Sequence, residues 1–136
     1  MEKYKFLKHT ADIKFRAYGK TLNSAFENSA IAMFKAMYLG RVKSKIKNKV
    51  KASGKDLESL IYNFLEQLLI LLDSKNFFIS KVKVKINEKN MELTADVFGD
   101  DAKNYSIGLD VKAITYNDMF VKKINNKWVC QVVVDV

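Results

Sequence analysis

Ile13, Phe15 and Ala17 alternate with Lys14, Arg16 and Tyr18, which predicts a strand over Asp12 to Tyr18 with one buried and one wet face. A short strand around Tyr4 to Leu7 precedes it. Leu22, Ala25, Phe26, Ser29, Ala30, Met33, Phe34, Met37 and Tyr38 then recur at helical steps, with Thr21 as N-cap and Gly40 as a left-handed C′ residue. From Arg41 to Ala52, six basic residues alternate with Val42, Ser44, Ile46, Asn48, Val50 and Ala52, the pattern of a strand with a basic outer face. Ser53 and Asp56 read as a capping box for a second helix with a stripe from Leu57 to Leu69. Ile70, Leu71 and Leu72 widen that stripe, so this helix is expected to be the better buried of the two.

The second half is all strand. Lys81 to Ile86 and Met91 to Val97 alternate around the turn Asn87–Asn90, and pairing Ile86 with Met91 sets Lys85 opposite Glu92 and Lys81 opposite Asp96. Gly99 to Gly108 has no period and reads as a long loop. Lys112 to Tyr116 reads as extended, and Met119 to Val136 as a final hairpin turning at Asn125-Asn126. No internal repeat or linker is apparent. The order β-α-β-α-β-β-loop-β-β predicts an α+β, two-layer sandwich: two helices on one face of a mixed, mainly antiparallel sheet, in a single domain over 1–136.

The 136 residues suffice for one core, and 49% hydrophobic content argues against disorder. A lone cysteine, Cys130, excludes an internal disulfide. No signal peptide or membrane-length apolar run appears, so a soluble cytoplasmic protein without membrane contact is expected. The net charge of +9 suits nucleic acid, nucleotide or an acidic surface, and equally a plain lysine-rich exterior.

Asp12 opens one strand and Asp135 closes another, with the Val136 carboxylate beside it. If these groups meet, their repulsion calls for a proton or a cation, and an all-oxygen set suits Ca²⁺ or Mg²⁺ better than zinc; the alternative is a set of solvated acids. His9, three residues before Asp12, is a structural donor or a ligand. Lys112 is a surface lysine or a contact to a phosphate or acidic partner. Cys130, on an apolar strand, reads as a buried thiol. Phosphate-binding, zinc-hydrolase and serine-hydrolase motifs are all missing from the sequence, and no stand-alone active site is visible.

The segments His9-Thr10-Ala11-Asp12, Ala17 to Leu22 running into Ala25-Phe26-Glu27-Asn28, Lys112-Ala113-Ile114-Thr115-Tyr116, and Trp128 with the terminal Val134-Asp135-Val136 resemble the archease family over nearly the whole chain. Two positions depart from its pattern: Asn117 stands where family members often have histidine, and Ser24 where an acid is usual. The resemblance implies an accessory protein rather than an enzyme. Archeases activate the RtcB-type RNA ligase of tRNA splicing, promoting its guanylylation and multiple turnover and broadening its nucleotide use. It implies a metal site at Asp12, Asp135 and Val136, with Ca²⁺ the usual occupant and Mg²⁺ or Mn²⁺ alternatives. Lys112, with His9, would serve activation. tRNA would be met indirectly or weakly. The competing classes are a lysine-rich RNA- or tRNA-binding module, a chaperone of RNA-processing proteins, and a metal-dependent phosphohydrolase.

Overall fold

The computed structural model describes residues 1–8 and 11–136. Its elements are β1 (Tyr4–Leu7), β2 (Ile13–Gly19), α1 (Leu22–Met37), β3 (Ile46–Ser53), α2 (Leu57–Lys75), β4 (Phe77–Asn87), β5 (Glu92–Asp101), a 3₁₀ turn at Ala102–Asn104, β6 (Ala113–Ile124) and β7 (Lys127–Asp135). The fold is α+β, as the pattern implied. The strands divide into two sheets, ordered β1-β2-β7-β6 and β3-β5-β4, and each pairing between them is antiparallel. α1 packs against β2 and β4, and α2 against β3 and β6, so each helix bridges the sheets over one shared core.

Both strand-to-helix junctions are built alike. Gly19-Lys20-Thr21-Leu22-Asn23-Ser24 and Gly54-Lys55-Asp56-Leu57-Glu58-Ser59 align at one offset, correcting the expectation of no internal repeat. In each, the N-cap side chain (Thr21 or Asp56) accepts from the backbone of a serine at N3, and that serine accepts from the N-cap backbone. The second cap is therefore Asp56 with Ser59, not Ser53 with Asp56. Each glycine is required by close approach: a Cβ on Gly19 or Gly54 would lie 2.4 Å or 2.6 Å from the backbone nitrogen of Ala25 or Leu60. Each helix also sends an asparagine amide back to the preceding strand. Asn28 donates to the Tyr18 carbonyl and Asn63 to the Ser53 carbonyl, both at 2.7 Å.

Further expectations are corrected. α1, not α2, is the better buried helix: none of its residues is exposed, whereas Glu66, Ile70, Asp73 and Ser74 of α2 form a wet stripe. The polar side of α1 is consumed by the sheet. Glu27 Oε2 accepts from the Val84 N–H (2.7 Å) and Asn23 Oδ1 from the Ile86 N–H (3.2 Å), so the helix caps the free edge of β4. α1 stops at Met37 because Tyr38 is extended (φ −155°, ψ 118°). No glycine has positive φ; a Cβ on Gly40 would instead strike the Tyr38 ring.

The β4–β5 register is two residues from expectation: Asn87 pairs with Glu92, Lys85 with Thr94 and Lys83 with Asp96. Asn87 Oδ1 accepts from the Asn90 N–H, and Met91 takes the left-handed conformation (φ 49°), so the loop covers 88–91. A shift of two leaves every side chain on its face, so alternation does not detect it. The strand expected over Arg41–Ala52 begins only at Ile46, and the expected loop from Gly99 still pairs through Asp101. The Asn125-Asn126 turn is as expected, with φ of 50° and 63°.

Candidate functional site

β7 is the middle of its sheet, and Val129 to Val134 are all buried. The apolar sequence of this strand fixes it between β2 and β6, and so fixes where its acidic end arrives. Ile13 pairs with Val134 and Ala113 with Asp135. Asp12 therefore lies one residue beyond the last β2–β7 pair, at the strand end that carries Asp135. The Lys112 N–H donates to the Asp135 carbonyl at 2.8 Å. Asp12 and Asp135 are half-buried, Lys112 and Val136 exposed. The sheet thus brings together four of the residues singled out in the sequence; His9 lies outside the described residues. Beside Asp12 an apolar groove of about 450 Å³ is lined by Phe6, Leu7, Ile13, Ala36 and Leu39.

Oxygen donors of this kind suit a hard divalent cation. Among the described residues no three His, Cys, Asp or Glu side chains converge. Asp12 and Asp135 would therefore need oxygens of Val136, water or a partner to complete the six to eight ligands that Ca²⁺ takes. The set fits a hard ion in kind and leaves positions open.

The Lys112–Tyr116 segment leads into a bulge. Four residues, Tyr116 to Met119, separate the pairs Thr115–Val133 and Phe120–Gln131, where β7 has only Val132. The Thr115 hydroxyl donates to the Val133 carbonyl (3.2 Å) and accepts from the Asn117 N–H (3.3 Å). Tyr116 stacks on Tyr62 of α2, with ring centroids 4.3 Å apart and planes 5° from parallel; burial raises its phenol pKa, helped by Tyr62. Asp118 (φ 55°) is pinned twice: its carbonyl accepts from Gln131 Nε2 (2.6 Å) and its carboxylate pairs with Lys14 (3.3 Å). Arg16 Nε in turn donates to Gln131 Oε1 at 2.8 Å. Gln131, Asp118 and Lys14 were not singled out in the sequence, although a glutamine inside an apolar strand was the available signal.

Cys130 is fully buried, and desolvation pushes its thiol up to about 12 even with the Ser29 hydroxyl beside it, which makes it inert, as expected. No helix among the described residues is long and apolar enough to cross a membrane.

The Archease protein family (MTH1598/TM1083) model matches residues 4–136. The protein archease of Sulfurisphaera tokodaii is 41% identical and that of Pyrococcus abyssi 39%, each alignment covering 100% of both chains. The solution structure of Methanobacterium thermoautotrophicum protein 1598 superposes with TM-score 0.85 at 33% identity, over 100% of both chains. A Thermotoga maritima crystal structure, described as an archease and possible chaperone, shares the fold with TM-score 0.68 at 18% identity, covering 97% of this chain and 96% of that one. The chain belongs to the archease family.

Proposed function

We propose that this archease is a cytoplasmic accessory protein of an RtcB-type RNA ligase. It promotes guanylylation and repeated turnover of the ligase, widens its choice of nucleotide, and has no catalytic step of its own. The observation that carries this reading is the convergence of Asp12, Asp135, Val136 and Lys112 at one end of the β2–β7–β6 sheet. Family membership supports it, as does the absence from the sequence of a phosphate-binding or hydrolase motif.

In this reading Asp12, Asp135 and the Val136 carboxylate hold Ca²⁺, with Mg²⁺ or Mn²⁺ as alternatives. The ion, when bound, offsets the repulsion of the carboxylates. Lys112, anchored through its backbone to β7, carries an ammonium to the ligase's phosphate or acidic groups, and His9 adds a second contact. The effect on the ligase is limited by the difference in affinity for its nucleotide-charging and resting states, so a tip fixed by the central strand serves better than a mobile loop. Multiple-turnover ligation of a nicked RNA, with the ligase at low concentration, tests the reading. Added archease raises the number of turnovers per ligase; an unchanged number overturns it.

A further inference from the structure

The outer face of the β3-β5-β4 sheet is a grid. Lys47, Phe98 and Lys81 form one row across the strands, Lys49, Asp96 and Lys83 the next, and Lys51, Thr94 and Lys85 the third. All six lysines are exposed. Along each outer strand the ammoniums repeat every second residue, about 6.7 Å apart. Only Asp96 opposes them within the grid, pairing with Lys49 at 3.7 Å and Lys47 at 3.9 Å. The Phe98 ring is half-buried at the centre of its row, with Lys81 Nζ 4.9 Å and Lys47 Nζ 5.8 Å from its centroid.

Protection of an open sheet edge does not account for both rails, because Glu27 and Asn23 already cap the edge of β4. Solubility needs neither matched rails nor an aromatic ring between them. We propose that this face binds single-stranded RNA. The two lysine rails track the phosphate backbone, and Phe98 is the platform on which a base stacks. The ring selects unpaired bases over a duplex, whose bases are already stacked. The exposed Thr94 hydroxyl, the uncharged hydrogen-bonding group of the grid, meets a 2′-hydroxyl and selects RNA over DNA. The site belongs to the other sheet from the acidic end, and it requires no ligase.

Fluorescence anisotropy with a labelled oligouridylate about twelve nucleotides long tests this. Engagement of four to six phosphates gives a slope of log K against log salt of about −3 to −4, and K49Q/K83Q makes it shallower by about 1.4. F98L weakens binding roughly tenfold with the slope kept. K3Q/K20Q, with the same loss of charge away from the grid, leaves the slope unchanged. Thermal melts by circular dichroism, matching the parent protein, confirm that each variant is folded. Absence of binding at low salt overturns the proposal, as does an equal slope in the grid and control variants or a neutral F98L. Equal affinity for duplex RNA or for an oligodeoxyuridylate of the same length overturns the strand or sugar assignment, and displacement of the RNA by polyglutamate of equal charge shows a general anion surface and overturns the RNA assignment.

Discussion

Glu27→Ala probes how the helix layer closes the second sheet. Glu27 Oε2 accepts from the Val84 N–H at 2.7 Å on the edge of β4 that faces away from β5. A hydrogen bond to a charged group contributes roughly 1.5–3 kcal/mol, and an orphaned N–H costs a similar amount when water cannot reach it. Glu27 is only half-buried, so the lower part of that range applies. Alanine is the better helix former and returns a few tenths, leaving a loss of about 1.5 kcal/mol. Asn23→Ala, which frees the longer 3.2 Å bond to Ile86, loses about 1 kcal/mol. Glu27→Gln keeps an acceptor oxygen and loses less than alanine does. Urea unfolding measures the totals, and amide hydrogen exchange locates them. The Val84 N–H, left without its acceptor, also exchanges by local opening in Glu27→Ala and so accelerates by more than the roughly tenfold that the global loss imposes on Lys83, whose N–H points to β5. Equal acceleration at Val84 and Lys83, or a stability within about 0.5 kcal/mol of the parent, refutes the edge-capping account.

Further outcomes follow from the structure and, for Lys112 and Val136, from the proposed function. The Tyr105 hydroxyl donates to Asp100 Oδ2 at 2.8 Å and, outweighing burial, holds that carboxyl below the ordinary value of 3.8. Its contribution to stability is present above that value and is lost as pH falls through the lower folded-state value. Melting temperature against pH should therefore fall less steeply below about pH 4 in Asp100→Asn than in the parent; parallel curves contradict this. Native Cys130 should react with a thiol reagent only at the rate of unfolding, because the thiol is buried and pushed up to about 12; prompt labelling of the folded protein contradicts it. Lys112→Ala should lose ligase stimulation while keeping Ca²⁺ affinity in calorimetry, whereas residues added after Val136 should lower that affinity and a tag before Met1 should not.

Much of the fold is legible because period and burial agree. The alternation of Ile13, Phe15 and Ala17, the stripe of α1 and the Asn125-Asn126 turn each answer to a local rule. Register is not local: β4 and β5 slide by two residues without exposing an apolar side chain, and only the Asn87 and Met91 conformations settle it. Relative burial of the helices is not local either. α2 is the more apolar in sequence, yet α1 is enclosed because Asn23, Glu27 and Asn28 spend their polar groups on strand backbones. Of the candidate site, Asp12, Asp135 and Lys112 could be singled out in the sequence, and their arrival at one end of the sheet rested on β7 being central, which its run of valines on both faces indicates. The bulge and its Gln131–Asp118 clamp were not, since one polar residue in an apolar strand signals a partner without naming it.

Single-turnover transfer of guanylate to the ligase, timed with and without this archease, isolates the step at which the proposed activation acts. The charging step is expected to be faster with the parent protein and unaccelerated with Asp12→Ala or Asp135→Ala, both still folded by circular dichroism. Equal charging rates with and without the parent protein, or full acceleration by the two variants, would contradict the proposed activation.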